Sequence, residues 1–261
     1  MQAFAYSSPA SVADAVKAGG QTDAKFLGGG QSLLPSMKLG LAAPSALIDL
    51  GGIAELKGIR VDGSTVTIGA ATTHAAVAAS AEVRKAIPGL ADLAGHIGDR
   101  QVRNRGTIGG SLANDDPAAC DPAAVLGLGA TVHTSQRKIA ADDFFLGMFT
   151  TALNEGEIIT AVSFPIPEKA GWQKFKQPAS RFSLVGVFVS KGPAGVRVAV
   201  TGAGASGVFR ASELEGKLAA NWAPSAVAGA TVSPDELNSD LHGSAAYRAA
   251  LIPVLASRAV A

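Results

Sequence analysis

FLGGGQSLLPSMKLG, residues 26–40, places three consecutive glycines directly after a short apolar run, Lys25–Leu27, that we predict to be a β-strand. Glycine lets the main chain approach a ligand closely, and consecutive amide N–H groups can bind a phosphate, to which the Ser32 hydroxyl adds a donor. Three glycines also occur in plain tight turns. The stretch therefore predicts either a phosphate-binding loop or a turn between a strand and a helix.

The residues on either side of this stretch predict a small βαβ unit. We predict two further strands, at Ala3–Tyr6 and Ala46–Leu50. Ser8 is the predicted N-cap of a helix that lies between the first two strands, and Leu33–Leu39 forms a helical turn after the glycines. The glycine stretch thus lies inside the first unit of the fold.

The next part of the chain combines a hairpin with a long polar segment. Residues 58–70, GIRVDGSTVTIGA, alternate with period two about Asp62–Gly63, which predicts a tight hairpin in an antiparallel sheet. We predict helices at Ala75–Ser80 and Pro88–Ile97. Residues 101–122, QVRNRGTIGGSLANDDPAACDP, are rich in turn-forming residues and predict a long irregular loop, a kind of loop that is usually functional.

The remaining sequence completes the part of the chain before a predicted boundary and then begins a second structural unit. Before a boundary near residue 168, we predict a helix at Ala123–Leu128 and strands at Thr131–Thr134 and Ile158–Phe164. After it, we predict strands at Leu184–Ser190 and Val196–Thr201 and helices at Ser212–Ala220 and Tyr247–Arg258. The C-terminal part should therefore be a sheet with helices packed on one side.

A second glycine motif, Thr107–Ser111, lies within the predicted loop. It repeats the combination of the first motif, with a hydroxyl on each side and Gly109–Gly110 in the middle. Two such loops, far apart in sequence, can clamp one pyrophosphate if the fold brings them together.

Composition excludes several classes of protein. The net charge of +1 gives no field that would attract nucleic acid or an anionic membrane. The longest uncharged apolar stretch, around Pro122–Val132, is far shorter than the roughly 20 residues of a membrane span, so we expect a cytoplasmic protein. Cys120 is the only cysteine, which excludes a self-contained four-cysteine cluster. Any iron–sulfur cluster must therefore belong to a partner.

A dinucleotide fingerprint near the C-terminus competes with the two glycine motifs. Gly202–Gly207, GAGASG, fits the pattern G-x-G-x-x-G and follows a predicted strand. A Rossmann site also needs a strand that ends in an acidic residue about 20 positions later, and no such strand follows. We interpret the segment as a glycine-rich strand exit.

Three segments taken together resemble a known family. FLGGGQSLLPSMKLG, IGDRQVRNRGTIGGSLANDDPAA (97–119) and KFKQPASRFSLVG (174–186), in this order and spacing, resemble the medium subunit of the molybdenum hydroxylases, a family that includes the flavin subunits of aerobic carbon monoxide dehydrogenases. The resemblance runs through nearly the whole chain. It implies an α+β fold: a two-part FAD-binding domain of the vanillyl-alcohol-oxidase type in residues 1–167 (parts 1–54 and 55–167), and a C-terminal α+β domain with a small antiparallel sheet and helices in residues 168–261.

The resemblance also implies a set of FAD contacts. Lys176 matches a lysine near the flavin ring, where a cation can stabilise reduced flavin. His74 has either a helix-cap or packing role or a position near the flavin. The other residues that the resemblance places around the cofactor are Phe26, Leu27, Gly28, Gly29, Gly30, Gln31, Ser32, Leu33, Ile97, Thr107, Ile108, Gly109, Gly110, Ser111 and Ile159.

One position departs from the family pattern. Relatives often carry an aspartate four residues after the start of the Asp-Pro segment, where this chain has Cys120 followed by Asp121. Either Asp121 or Asp116 can make the polar contact expected there. Cys120, without a second cysteine to resolve it, is expected to be a small buried packing residue rather than a redox centre.

The resemblance implies an FAD electron relay without catalytic side chains. Electrons would come from [2Fe–2S] clusters of a small subunit, after oxidation of substrate on a molybdopterin large subunit, and go to an external acceptor. The expected assembly is a dimer of heterotrimers. The alternatives are a self-contained flavoenzyme of the same fold, such as an alcohol oxidase or enolpyruvyl-sugar reductase, and an assembly module that has lost FAD. The intact glycine motifs argue against the latter.

Overall fold

A computed structural model describes residues 2–261 and contains helices and strands in comparable amounts. The strands are β1 (Ala5–Ser7), β2 (Ala24–Leu27), β3 (Ala46–Asp49), β4 (Ile59–Asp62), β5 (Thr65–Gly69), β6 (Thr131–Thr134), β7 (Lys138–Ala140), β8 (Phe145–Gly147), β9 (Thr150–Thr151), β10 (Ile159–Pro165), β11 (Lys169–Lys176), β12 (Ser183–Gly192), β13 (Gly195–Thr201) and β14 (Phe209–Arg210). The α-helices are α1 (Val12–Gly19), α2 (Leu33–Lys38), α3 (His74–Ala79), α4 (Ala81–Ala86), α5 (Pro88–Gly95), α6 (Arg100–Arg105), α7 (Ile108–Asn114), α8 (Asp121–Gly127), α9 (Ala141–Phe144), α10 (Ser212–Ala220), α11 (Pro224–Val227) and α12 (Ala245–Val260).

The first sheet is small and parallel. Its order is β1-β3-β2, and both outer strands run parallel to β3, as the predicted βαβ unit requires. The prediction that Ser8 caps the first helix is wrong. Ser11 is the N-cap, because its hydroxyl accepts a hydrogen bond from the Asp14 amide at 3.1 Å. β1 extends one residue beyond the predicted strand, to Ser7, and the helix begins after the turn that follows.

The second sheet is antiparallel and has the order β4-β5-β10-β6-β7. The predicted hairpin is confirmed: β4 and β5 pair through Asp62 and Thr65, and Gly63 takes the left-handed conformation at φ +53° that the tight turn needs. β10 returns from far along the chain to pair between β5 and β6. The central strand of the second sheet, β10, therefore comes after the polar segment in the sequence.

The prediction that residues 101–122 form an irregular loop is wrong. The segment contains most of α6, all of α7 and the start of α8. Two of its turn-forming residues are helix boundaries: the Thr107 side chain caps α7, and Asp115 ends that helix in the left-handed conformation at φ 43°. Short helices separated by caps have the same composition as a loop, which explains the error.

The third sheet is antiparallel, with the order β11-β12-β13-β14, and α10 and α12 pack against it. The sequence did not predict β11. Gly202–Gly207 forms the turn between β13 and β14, so β13 is followed by another strand and not directly by a helix. Strands of the second sheet end at Pro165 and those of the third begin at Lys169; the domain limits 1–167 and 168–261 stay a prediction.

One hydrophobic core joins the second and third sheets. Phe144 and Phe164 belong to the same buried cluster as Trp172 and Phe188 of the third sheet. α8 lies in the middle of this core, since all its residues are buried and it contacts both β12 and β13. Within residues 2–261, no helix combines the length and apolar character needed to cross a membrane.

Arg248 of α12 ties the last helix to the end of the third sheet where β12 begins and β13 finishes. Its guanidinium donates to the main-chain carbonyls of Leu184 at 2.7 Å and Gly202 at 2.8 Å, and to both oxygens of Asp240 at 2.9 and 2.8 Å. The side chain is 4% exposed, so these bonds are made in a largely water-free environment. Arg248 thus links α12 to the neighbouring ends of β12 and β13 and to Asp240.

We expect Arg248→Met to lower the free energy of unfolding by about 3 kcal/mol, because it leaves two buried carbonyls and one carboxylate without their donor. Urea denaturation measures this loss. Arg258→Met is the control, since Arg258 is exposed on the same helix and should change stability by less than about 0.5 kcal/mol. Equal effects of the two substitutions would contradict the role assigned to Arg248.

Candidate functional site

A cavity of about 760 Å³ lies where the first sheet, the helices of the polar segment and the third sheet meet. Its size is that of a site for a large organic ligand. The cavity wall includes both glycine motifs, although they are far apart in sequence. Every candidate site residue identified from the sequence lines this cavity except Ile108, which is buried in the core, and Lys176.

The first glycine motif forms the connection from β2 to α2. Gly30 adopts the left-handed conformation at φ +72°, and the Gln31 side-chain amide donates to the Gly29 carbonyl at 3.1 Å. A Cβ atom on Gly29 would overlap the Arg105 carbonyl oxygen at the end of α6. Any larger residue at this position therefore forces α6 away from the motif.

The second glycine motif is the first turn of α7 and not the loop that the sequence predicted. The Thr107 hydroxyl accepts a hydrogen bond from the Gly110 amide at 3.1 Å and so caps the helix. A Cβ atom on Gly109 would lie 2.8 Å from the Ala70 carbonyl oxygen, so this turn packs directly on the main chain after β5. The helix start is thereby held against the second sheet.

The two motifs lie side by side. A Cβ atom on Gly28 would lie 3.1 Å from the Thr107 hydroxyl and 3.7 Å from the Gly110 Cα, and one on Gly110 would lie 4.0 Å from the Gly29 nitrogen. Side chains at these positions would fill the space that the cavity uses. The amides of Ile108 to Ser111 are already hydrogen-bonded within the chain, so the first motif can supply the main-chain N–H groups of a pyrophosphate cradle and the second its close wall.

The lysine on the cavity wall is Lys174 and not Lys176. Lys174 donates to the His96 carbonyl at 3.0 Å and to the Cys120 sulfur at 3.3 Å, whereas Lys176 is exposed. The pairing register of β11 with β12 shifts between Phe175 and Lys176, which breaks the alternation that would put both lysines on one face. The third family-like motif therefore does supply a lysine to the cavity wall. Because of the bulge, that lysine is Lys174 and not the predicted Lys176.

Cys120 is a buried side chain in the core and also reaches the cavity wall. Its sulfur lies 3.5 Å from the Ser183 hydroxyl, and burial raises the pKa of the thiol. Asp116 lines the cavity, and its carboxylate accepts the Ala118 amide at 2.9 Å. Burial and the neighbouring Asp116 carboxylate raise the pKa of Asp115 to about 7, although Asp115 itself does not line the cavity.

His74 and Asp121 line the cavity as a facing pair. The His74 Nδ1 lies 3.6 Å from the Asp121 Oδ2, with both side chains almost fully buried. Burial raises the pKa of Asp121, and the nearby His74 opposes this effect. The Thr73 side chain caps α3, so His74 is the first helical residue and not the cap.

Some lining residues were not singled out from the sequence. Arg181 and Phe182 come from the segment between β11 and β12, inside the third family-like motif, which was the available signal. Phe149 comes from the β8–β9 hairpin, where its amide donates to the Asp115 carbonyl at 3.0 Å. Phe149 is 57% exposed and in the left-handed conformation at φ 55°, features that no sequence pattern indicated.

Comparisons with known proteins agree with this site. Residues 2–167 match the family described as the FAD binding domain in molybdopterin dehydrogenase. The carbon monoxide dehydrogenase medium chain of Hydrogenophaga pseudoflava is 38% identical over 98% of this chain and 96% of its own length. The nicotine 6-hydroxylase medium subunit of Paenarthrobacter nicotinovorans is 37% identical over 100% of this chain and 97% of its own.

The fold agrees as well. A chain of the reconstituted CO dehydrogenase from Oligotropha carboxidovorans superimposes with a TM-score of 0.91 at 32% identity, covering 99% of this chain and 96% of that one. The similarity includes the third sheet as well as the part that the FAD-binding family covers. The chain therefore belongs to the FAD-binding medium subunits of the molybdenum hydroxylases, a family of oxidoreductases, and has their α+β FAD-binding fold.

Proposed function

We propose that this chain carries FAD as the electron-transfer subunit of a molybdenum hydroxylase. In this proposal it receives electrons from the [2Fe–2S] clusters of a small subunit and passes them to an external acceptor, while a molybdopterin-containing large subunit oxidises the substrate. A bound flavin exchanges either one or two electrons, which suits a relay between clusters and an acceptor. The observation that carries the proposal is the contact between the two glycine motifs at one cavity.

The chain's own residues have three tasks in this proposal. The first glycine motif binds the pyrophosphate through main-chain amides. The second motif, whose own amides are hydrogen-bonded within the chain, lies beside it, and the Thr107 cap keeps the α7 turn in place. Lys174 supplies a positive charge to the cavity, where it is held by the His96 carbonyl and the Cys120 sulfur. Ile97 and Ile159 supply apolar wall, which excludes water from the ring.

The substrate chemistry belongs to the partners. Relatives carry the names of complexes that act on carbon monoxide, nicotine and glyceraldehyde, so the medium subunit is shared while the substrate changes. This distribution favours a relay over a self-contained flavoenzyme, because a subunit that contacted substrate would have to differ with it. We propose a dimer of heterotrimers as the assembly that contains this chain.

Co-expression with the neighbouring genes tests this function. We expect a yellow complex in which this chain purifies with one iron–sulfur and one molybdopterin subunit, identified by mass spectrometry, metal analysis and the visible spectrum. Reduction of the complex by substrate should bleach the flavin absorbance only when the iron–sulfur subunit is present. A lone yellow protein that turns over a small substrate would favour the self-contained flavoenzyme, and a colourless chain would contradict both.

Gly110→Val should abolish FAD retention, because the added side chain meets the Thr107 hydroxyl at 2.9 Å and occupies the cradle. The ratio of flavin to protein after gel filtration measures this. Gly110 is a better position than Gly29, where a Cβ atom overlaps the Arg105 carbonyl and would disturb folding itself. Gly216→Val is the matched control, since that glycine has no neighbouring atom within 4 Å and should keep its FAD. Flavin retained at the wild-type ratio in the Gly110 variant would refute the cradle.

Lys174→Met should lower the reduction potential of bound FAD by about 30 mV, which corresponds to ~1.4 kcal/mol for a two-electron couple. The reason is that a positive charge in the cavity favours the more negatively charged reduced form. Equilibration with a reference dye measures the potential. Lys176→Met is the control and should leave it unchanged, because Lys176 is exposed and does not line the cavity. A shift caused by Lys176→Met alone would restore the assignment made from the sequence.

A further inference from the structure

His74 and Asp121 form a buried polar pair whose facing atoms have no hydrogen-bond partner. The His74 Nδ1 and the Asp121 Oδ2 are 3.6 Å apart, which is within ion-pair distance but too far for a hydrogen bond. The two side chains are 6% and 4% exposed. A buried polar atom without a partner costs about 1–3 kcal/mol, so a pair of them at a cavity wall needs an explanation.

The main chain fixes both members of the pair. The His74 amide donates to the Gly106 carbonyl at 3.0 Å, and a Cβ atom on Gly106 would lie 2.9 Å from the His74 ring. Asp121 begins α8, which the core surrounds. Neither side chain can swing out into water, so the pair must be satisfied where it is. One proton shared between the imidazole and the carboxylate would satisfy it.

The pair adjoins the groups that are expected to bind the pyrophosphate. Ser111, at the end of the second glycine motif, lines the same cavity as His74 and Asp121. Without a proton the pair carries one negative charge, and with one proton it is neutral overall. A pyrophosphate is itself negative, so the protonated pair binds it better.

We propose that His74 and Asp121 hold one exchangeable proton in the cavity wall, and that FAD binding to this chain is coupled to uptake of that proton. This inference rests on the proposed function, because it assumes that the cavity binds FAD. By linkage, the affinity for FAD then falls as the pH rises and the pair loses its proton. His74 and Asp121 are positioning residues here, since they act on the cofactor site through their charge.

Other titratable groups lie near the pair, and their effects on the pH dependence have to be distinguished from the effect of the pair. Lys174 and Cys120 are the neighbours of Asp121 besides His74, and burial raises the pKa of the Cys120 thiol, which keeps the thiol neutral at ordinary pH. Asp115 lies in the segment before α8, and its pKa, raised to about 7 by burial and by Asp116, falls in the same pH range. Loss of the Asp115 proton would also add negative charge near the cavity, so Asp115 needs its own variant.

The test is the pH dependence of FAD binding to the deflavinated full chain, measured by flavin fluorescence from about pH 6 to about pH 9. The wild-type Kd should rise by up to about tenfold per pH unit above the titration of the pair. Asp121→Asn should match the wild type at low pH and bind FAD more tightly than it at high pH, with no slope. Asp115→Asn, which suits the left-handed backbone at that position, should keep the wild-type slope.

Calorimetry in two buffers of different ionisation enthalpy gives a second readout. Wild type should take up as much as about one proton per FAD, and Asp121→Asn none. A flat wild-type Kd, a slope retained in Asp121→Asn or a slope lost only in Asp115→Asn would overturn the inference while FAD binding stands. Wild-type protein that binds no FAD at any pH would instead overturn the proposed function, and this inference with it.

Discussion

The close approach of Gly28 to the Thr107–Gly110 turn is the constraint on which the site depends. It joins the end of β2 in the first sheet to the start of α7, and α7 in turn rests on the Ala70 carbonyl after β5. A Cβ atom on Gly28 would crowd the Thr107 hydroxyl, so the approach favours glycine at that position. The same glycines leave room for a ligand in the cavity.

The third sheet completes the site from the other side. Lys174 and the Arg181–Phe182 segment reach the cavity from β11 and from the connection that follows it. Their positions are fixed by the core that surrounds α8, where Trp172 and Phe188 pack with residues of the second sheet. Arg248 adds a polar tie behind that connection, through the Leu184 carbonyl. A cavity formed by three sheets therefore has a rigid wall on each side, as a cofactor that must keep its position requires.

Sequence patterns predicted the features that depend on local chemistry. The Asp62–Gly63 hairpin follows from a turn that needs a positive φ, and the glycine motifs were found because glycine lets the main chain approach a ligand closely. The helices α6 and α7 were missed because their caps are also turn formers. The bulge after Phe175, which gives the cavity Lys174 instead of Lys176, is not marked by any characteristic residue type in the sequence. His74 and Asp121 lie 47 positions apart (121 − 74), so only the folded chain pairs them.

The arrangement around Cys120 also explains why the acidic side chain at this part of the cavity wall is Asp121 and not residue 120. The resemblance implies an acidic side chain at position 120, where it would lie beside Lys174, whose amine instead contacts the Cys120 sulfur. Two consecutive buried carboxylates at positions 120 and 121 would repel each other, and one lysine could not neutralise both. With Cys120 uncharged, Asp121 is the one acidic side chain of that adjacent pair, and its partner is His74. The substitution thus puts a neutral thiol, and not a second carboxylate, in contact with Lys174.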